Sequence, residues 1–549
     1  MRSRVRPILL FTVAATVFSF MPAQARPRLA LLVVVDQLSA DIFELYGPLF
    51  TGGMARLRDE GVCFTAARHD HAMTLTSVGH ATLVTGAYPS RHGIVGNHWV
   101  ERATGQRAYS CEDSTVQVLG DPEAEGRSPQ FLMTETLGDW LRQTWPEARV
   151  FTVSQKDYSA ILLGGRHPNA AYWFDDAKGI FVTSSEYLDS LPPWVRDYDC
   201  FPFRERAVRE GWTRGWPAAT YTVATADDIA AENDGIHTCF PHLYDSAASL
   251  ARTPSEWMLE TPYSDALELD FAKRLVREEG LGSDTIPDLL CLSLSANDYV
   301  GHSFGPYSQE ALDVLLRVDA GLSEFLGALD SLVGTGMYTV ALSSDHGVMP
   351  LPEVMRAAGL PAERILRAEA RQHLETAARR VADKLGIAAP LITGHTNGLM
   401  LNLKAGEEQG VRPADLRQAM AEAIGVLDYV EEVLTWEQLT EPGGAGRGYR
   451  ALYRQSFHPD RAPDLVIRYR ENTLILDSPQ GTTHGSPYRY DTHVPLIFWG
   501  HGVSTRAKTV ANDVRTIDVA PTLAAILELT PPAAIDGVCL RAVIEPHEP

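Results

Sequence analysis

Aspartate and histidine recur in this chain at spacings that suit metal chemistry. Asp36 follows the apolar run LALLVVV. Asp298 and His302 stand four residues apart, so one helical turn aims both to the same side. Asp345 and His346 are adjacent, just beyond the run YTVALS. His484 and His493 lie in THGSPYRYDTH. Carboxylate oxygen and imidazole nitrogen without thiolate form the ligand set of a catalytic zinc site, and two such sites roughly 3.5–4 Å apart clamp a phosphoryl group. Any one of these residues is, taken alone, an ordinary turn, cap or surface residue. Together they fit a two-metal centre.

A nucleophile for that centre is available in the stretch Thr74–Trp99, TLTSVGHATLVTGAYPSRHGIVGNHW. Thr74, Thr76 and Ser77 precede a short apolar run, and Asn97 sits at a polar tip after several glycine turns. A hydroxyl at a helix start lies among free backbone N–H groups and the positive end of the helix dipole, where an anionic phosphoryl group is also stabilised. The ordinary role of such a hydroxyl is a helix cap. The ligand positions elsewhere turn the weight toward a nucleophile, with the choice among the three hydroxyls open.

These residues need elements to position them. Leu29–Val35, Val62–Thr65, Arg149–Val153, Asp288–Ser295, Tyr338–Ser343 and Val494–Trp499 read as strands, and 306–332 and 519–529 as helices. Unbroken apolar runs suit strands buried on both faces, and alternation with helices predicts an α/β domain with a mostly parallel central sheet flanked by helices. Ligands bind such sheets at the carboxyl ends of the strands, where Asp36, Asp298 and Asp345 fall. Two stretches break the alternation, about 184–262 and 351–478. Both read as insertions over the carboxyl edge, the second with a helix at Arg364–Leu385 and short strands at Leu399–Leu403 and Leu465–Tyr469. The Gly443–Gly448 stretch reads as a loop; it lacks the Lys-Ser/Thr of a phosphate-binding loop.

Composition bounds the partners. The 549 residues are 45% hydrophobic and 21% charged, an ordinary globular balance. A net charge of -22 argues against a nucleic-acid-binding surface, but not against a phosphate substrate, because bound cations reverse the local field. Residues 1–25 read as a signal peptide: Arg2, Arg4 and Arg6, an apolar Ile8–Phe20 too short to span comfortably, and Ala-Gln-Ala before Arg26. Export to the periplasm or medium without a stable membrane anchor follows, with 26–549 as one domain. Of six scattered cysteines, Cys200 and Cys239 are the pair to test first, and Cys63 and Cys291 read as buried thiols. Nothing in the sequence specifies an oligomeric state.

The motifs VVVDQL, TLTSVGHATLVTGAYPSRHGIVGNHW, SQKD, NDYVGH, SSDHG and THGSPYRYDTHVPLIFWG run from Val33 to Gly500. In this order they resemble the alkaline phosphatase superfamily, and most closely its exported bacterial members with a threonine nucleophile and a Lys-x-Arg pair. The resemblance implies an alkaline phosphatase-like α/β fold with inserted cap subdomains. It implies a two-zinc phosphatase that acts on small phosphate monoesters through a phospho-threonine. Thr76 is then the nucleophile. One zinc is held by Asp36, Asp345, His346 and Thr76, the other by Asp298, His302 and His484. Asn97 and Lys156 bind the phosphoryl group. His493 is a supporting residue, or the ligand if His484 is not.

One residue departs from that pattern. Tyr158 stands where the family's monoesterases carry arginine. Arginine grips a phosphate dianion with two donors, whereas tyrosine offers one neutral donor and a ring. The substitution favours an alternative reading as a phosphodiesterase or nucleotide pyrophosphatase on the same metal core, unless Arg166 reaches the site. A third reading is an inactive, metal-stabilised binding protein. A serine hydrolase lacks its G-x-S-x-G, and a sulfatase lacks Cys/Ser-x-Pro-x-Arg at the nucleophile.

Overall fold

In a computed structural model the run Leu29–Val35 is a strand, β1, with every residue buried. Its alternate side chains enter two different cores. Leu29, Leu31, Val33 and Val35 pack with Leu312, Leu315 and Leu322 on one face of the sheet. Ala30, Leu32 and Val34 pack with Leu83, Trp140 and Leu523 on the other. A strand covered on both faces has no position for a polar residue, which is why the run is unbroken. The structure describes residues 26–245, 251–441, 448–504 and 508–544. The expected signal peptide and most of the Gly443–Gly448 loop lie outside the described residues.

Nine further strands complete the sheet: β2 (Val62–Arg68), β3 (Val118–Leu119), β4 (Val150–Ser154), β5 (Ala170–Asp175), β6 (Ile180–Ser184), β7 (Asp288–Leu294), β8 (Tyr338–Ser343), β9 (Leu496–Gly500) and β10 (Thr509–Arg515). Their order is β10-β2-β9-β8-β1-β7-β4-β5-β6-β3. The middle five, β8 to β5, are parallel. Strand β9 runs antiparallel to both β8 and β2, and β6 antiparallel to both β5 and β3. The sheet is therefore mixed, with the expected parallel order confined mainly to its centre. The β5–β6 hairpin leads into the 184–262 stretch and is not among the expected strands.

Five helices matter to the site: α1 (Thr76–Thr85), α2 (Asp157–Gly164), α3 (Tyr263–Glu278), α4 (Ala296–Phe304) and α5 (Gln309–Leu329). The single helix expected over 306–332 begins at Gln309, because Ser308 caps it by accepting a hydrogen bond from the Ala311 N–H. The region 351–478 builds its own core from the helices Arg367–Leu385 and Pro413–Ile424 and the strand pair Val430–Thr435 and Leu465–Tyr469. The expected strand Leu399–Leu403 shrinks to Met400–Leu401.

The region 184–262 packs into the main core as well as meeting the carboxyl edge. Val195, Cys200, Ala207, Trp212, Tyr221 and Met258 join the same core as the odd face of β1. Trp212 and Tyr221 are buried in that core, and the region meets the carboxyl edge at Ala231 and Asn233, which bond Gly481 and Ser303. The Cys200–Cys239 pair does not form. Both thiols are free, Cys200 within this core and Cys239 exposed. Cys291 is buried as expected, while Cys63 is half-buried and donates to the Arg58 carbonyl.

Helix α1 approaches the end of β8 so closely that a Cβ on Gly79 would overlap the Asp345 carbonyl. Gly79→Ala is expected to lower stability by about 1–3 kcal/mol through overpacking, and to lower activity with it. Gly327→Ala, at an exposed site on α5 with open space around it, is expected to stabilise by about 0.4–1 kcal/mol. Denaturant melts of the two variants check both signs.

Candidate metal centre

Parallel strands β8, β1, β7 and β4 end side by side. Val34 is level with Ser343 on one side and Ser293 on the other, and Ser293 is level with Ser154. Just beyond these ends come Asp345, Asp36, Asp298 and Lys156. The turn after β1 needs Gln37 in the left-handed region (φ 66°). That conformation directs the Gln37 N–H to Asp345 Oδ1 (3.2 Å), while Gln37 Nε2 donates to Asp298 Oδ1 (2.6 Å). Asp298 lies in the first turn of α4, and His302 one turn later places Nε2 3.3 Å from Asp298 Oδ1.

Three imidazoles turn the same nitrogen inward. Nδ1–H of His302 donates to the Thr482 carbonyl (2.9 Å), that of His346 to Gly347 (2.9 Å) and that of His484 to Thr74 (2.7 Å). Backbone acceptors of this kind fix the tautomer and leave Nε2 with a free lone pair. His346 Nε2 lies 3.2 Å from Asp345 Oδ2 and 3.6 Å from Asp36 Oδ1; His484 Nε2 lies 3.7 Å from Asp298 Oδ1. Two groups have ligand atoms close enough to share an ion: Asp298, His302 and His484, and Asp36, Asp298 and His346. Asp345, expected in the second group, contacts its His346.

Thr76 Oγ1 is 3.2 Å from His346 Nε2. The cap reading fails for it: Leu75 is the N-cap and Thr76 the first residue of α1, so no N-cap side chain bonds the first-turn N–H groups. Asn97 Oδ1 accepts the Ser77 N–H (2.9 Å). Lys156 Nζ donates to both Asp36 Oδ2 and Asp298 Oδ2, at 2.6 Å each. Tyr158, in the first turn of α2, packs its ring against Tyr109 at 5.9 Å. Burial pushes its phenol well up, against the pull of Lys156, so the hydroxyl is neutral. Arg166 does not reach the site: it donates to the Leu132 carbonyl and lines a different cavity. His493 is also away from the centre, bound to Asp41 Oδ1 (3.1 Å) and the Thr65 carbonyl (3.0 Å).

Three further residues hold the site and were not singled out from the sequence. Gln37 tethers two aspartates, as above. His80, fully buried, bonds the Thr76 carbonyl (2.8 Å) and Ser293 Oγ (2.7 Å) and stands 3.3 Å from Asp345 Oδ2. Its place one turn after Thr76 was the available signal. Asp491 Oδ2 accepts from the N–H groups of Gly485 (3.1 Å) and Ser486 (2.7 Å) and from Ser486 Oγ (2.6 Å), which fixes the loop carrying His484.

Charge explains why such a site attracts metal. Asp36, Asp298 and Asp345 are 0%, 4% and 0% exposed, and Lys156 is their shared cation. Burial, then Asp298 and Asp345, push the Asp36 carboxyl well up despite Lys156. Burial also opposes ionisation of Asp298 and Asp345, but Lys156, His302 and His484 together outweigh it at Asp298, and His346, His80 and Lys156 together at Asp345, holding both low. Burial keeps His346 and His484 below the usual imidazole value, whereas pairing with Asp298 lifts His302 against its own burial. Asp36 Oδ1 and Asp345 Oδ2 are buried without a hydrogen-bond partner. Orphaned carboxylate oxygens beside inward-facing imidazoles are the donor set of a divalent-metal site.

The comparisons agree with this geometry. The family model for type I phosphodiesterase / nucleotide pyrophosphatase matches residues 30–493. The alkaline phosphatase PhoV of Synechococcus elongatus is 32% identical, over 95% of this chain and 94% of its own. The alkaline phosphatase PafA of Elizabethkingia meningoseptica is 30% identical over 95% of each chain. A crystal structure of wild-type PafA superposes with a TM-score of 0.87, covering 95% of this chain and 100% of that one at 30% identity. Among the described residues no helix is long and apolar enough to cross a membrane. The chain is a phosphoester hydrolase of the alkaline phosphatase superfamily; it belongs to the type I phosphodiesterase / nucleotide pyrophosphatase family and is closely related to the bacterial PafA-like alkaline phosphatases.

Proposed function

We propose that the chain is an exported phosphatase that hydrolyses phosphate monoesters through a phospho-threonine at a two-zinc centre. The observation that carries this reading is Thr76 Oγ1 lying 3.2 Å from His346 Nε2, inside the ring of buried aspartates and inward-turned imidazoles. Asp36, Asp345, His346 and Thr76 Oγ1 would hold one ion, and Asp298, His302 and His484 the other. Nitrogen and oxygen ligands favour zinc, and the leader supports export to the periplasm or medium. The names of PhoV and PafA support the monoester assignment.

When bound, the metal ions make a hydroxyl ionisable near neutral pH and stabilise the departing oxygen. Thr76 Oγ1 attacks phosphorus in line with the ester oxygen. The P–O bond to the alcohol breaks as the bond to Thr76 forms. Water then attacks the same phosphorus, frees Thr76 and releases phosphate. Asn97, whose Oδ1 is occupied by the Ser77 N–H, keeps its Nδ2 donors for a phosphoryl oxygen. Lys156 supplies positive charge beside Asp36 and Asp298. Each such donor is worth roughly 2.7–4 kcal/mol in the transition state.

A second reading, a diesterase on the same core, is favoured by one observation. At the arginine position stands neutral Tyr158, Arg166 is turned away, and Arg127 is bound to Asp157 Oδ2 (2.6 Å).

Two measurements follow. Thr76→Ala is expected to lower turnover roughly 10,000-fold or more, the scale seen when other nucleophiles are removed, with metal content unchanged. Residual turnover near wild type would show that Thr76 is not the nucleophile. Tyr158→Arg is expected to raise kcat/KM for an aryl monoester relative to the matched diester by about ten- to a hundredfold, the worth of one hydrogen bond to a charged group. A strong monoester preference already present in the wild type would remove the case for the diesterase.

A further inference from the structure

Behind Lys156 lies another group of buried acids that the proposed reaction does not use. Asp265 and Glu268 stand one turn apart on α3, 3% and 0% exposed. Asp265 Oδ1 accepts from Gln155 Nε2 (3.0 Å) and the Ala296 N–H (3.0 Å). Its Oδ2 has no hydrogen-bond partner, and neither has either oxygen of Glu268. The backbone amides of Ser293 and Gln155 face Glu268 and favour its charge without reaching hydrogen-bonding geometry.

Two neutral oxygens join them from other elements. Gln155 Oε1 belongs to an amide already fixed on Asp265, and Gln155 is 5% exposed. Ser295, fully buried, precedes the Ala296 amide that Asp265 holds, and its own backbone also faces Asp265. Gln155 Oε1 and Ser295 Oγ are likewise without a partner. A buried polar atom left unpaired costs about 1–3 kcal/mol, and more if charged. Lys156 is no remedy, since it is bound to Asp36 and Asp298. Two carboxylates with an amide and a hydroxyl oxygen, and no nitrogen or sulfur donor, suit a hard divalent cation rather than zinc.

We propose that Asp265, Glu268, Gln155 and Ser295 form a separate, oxygen-only site for a cation of the calcium or magnesium class. Gln155 precedes Lys156 at the end of β4, and Ser295 opens the turn into α4 with its Asp298 and His302. A cation there ties both segments to α3 and holds Lys156 and Asp298 in place from behind. It touches no reacting atom, so its residues position rather than catalyse.

The test uses the full-length, zinc-loaded protein after gel filtration in metal-depleted buffer. Elemental analysis is expected to find about one tightly held calcium or magnesium ion per chain beyond the transition metal, and its loss in Glu268→Gln. Added calcium or magnesium is expected to raise the melting temperature of stripped wild type but not of that variant. Ser295→Ala, which leaves no buried charge unpaired, keeps the test readable if Glu268→Gln does not fold; its calcium midpoint is expected to rise roughly tenfold or more. The proposal is overturned if wild type retains no alkaline-earth ion and melts independently of both ions. It is equally overturned if Glu268→Gln, or Ser295→Ala where the former does not fold, binds as wild type does. Glu268→Gln melting above wild type with unchanged ion content would show that the acids are protonated and need no cation.

Discussion

Three aspartates buried at the ends of adjacent parallel strands are the constraint on which this molecule turns. A carboxylate removed from water loses its hydration, and three within contact distance of the same groups repel one another. Lys156 offsets part of that charge by bridging Asp36 and Asp298. The remainder shows as the raised Asp36 carboxyl and the orphaned oxygens of Asp36 and Asp345. Hydrophobic burial of β1 on both faces is what allows the arrangement, because it holds the strand ends in register while the charged groups crowd together beyond them.

Positioning is then a matter of hydrogen bonds to backbone. Three histidines spend Nδ1 on carbonyl acceptors and keep Nε2 for the centre. Thr482 and Thr74, which provide two of those carbonyls, come from loops far from the histidines they orient, so folding itself selects the tautomers. Gln37, His80 and Asp491 act the same way on the carboxylates, the Thr76 carbonyl and the His484 loop. Gly79 belongs to this set for steric reasons: only without a Cβ can α1 bring Thr76 against the end of β8.

The site differs from its relatives' expected pattern at one position, and the surroundings make that difference consistent. Tyr158 is packed on Tyr109, whose hydroxyl donates to Asp157 Oδ1 (2.6 Å), and Arg127 holds the other oxygen of the same aspartate. The nearby cation is thus used in fixing the start of α2 rather than in meeting the substrate. On the proposed reading, a phosphoryl group meets Lys156 and neutral donors.

Sequence alone determined the elements and the chemistry. Apolar runs marked β1, β7 and β8 nearly to the residue, because strands covered on both faces admit only one kind of side chain. Ligand type and order marked Asp36, Asp298, His302, Asp345, His346 and His484, and the family resemblance marked Thr76; the fold brings all seven together. Tertiary structure decided what depends on contacts between distant parts of the chain. It chose His484 over His493, since only the loop pinned by Asp491 faces α4. It turned Arg166 outward, kept Cys200 from Cys239, and sank 184–262 into the main core. It also recruited Gln37 and His80, whose roles rest on partners more than two hundred residues away. Local periodicity reports how deeply a residue is buried, and it carries no information about which distant group waits on the other side.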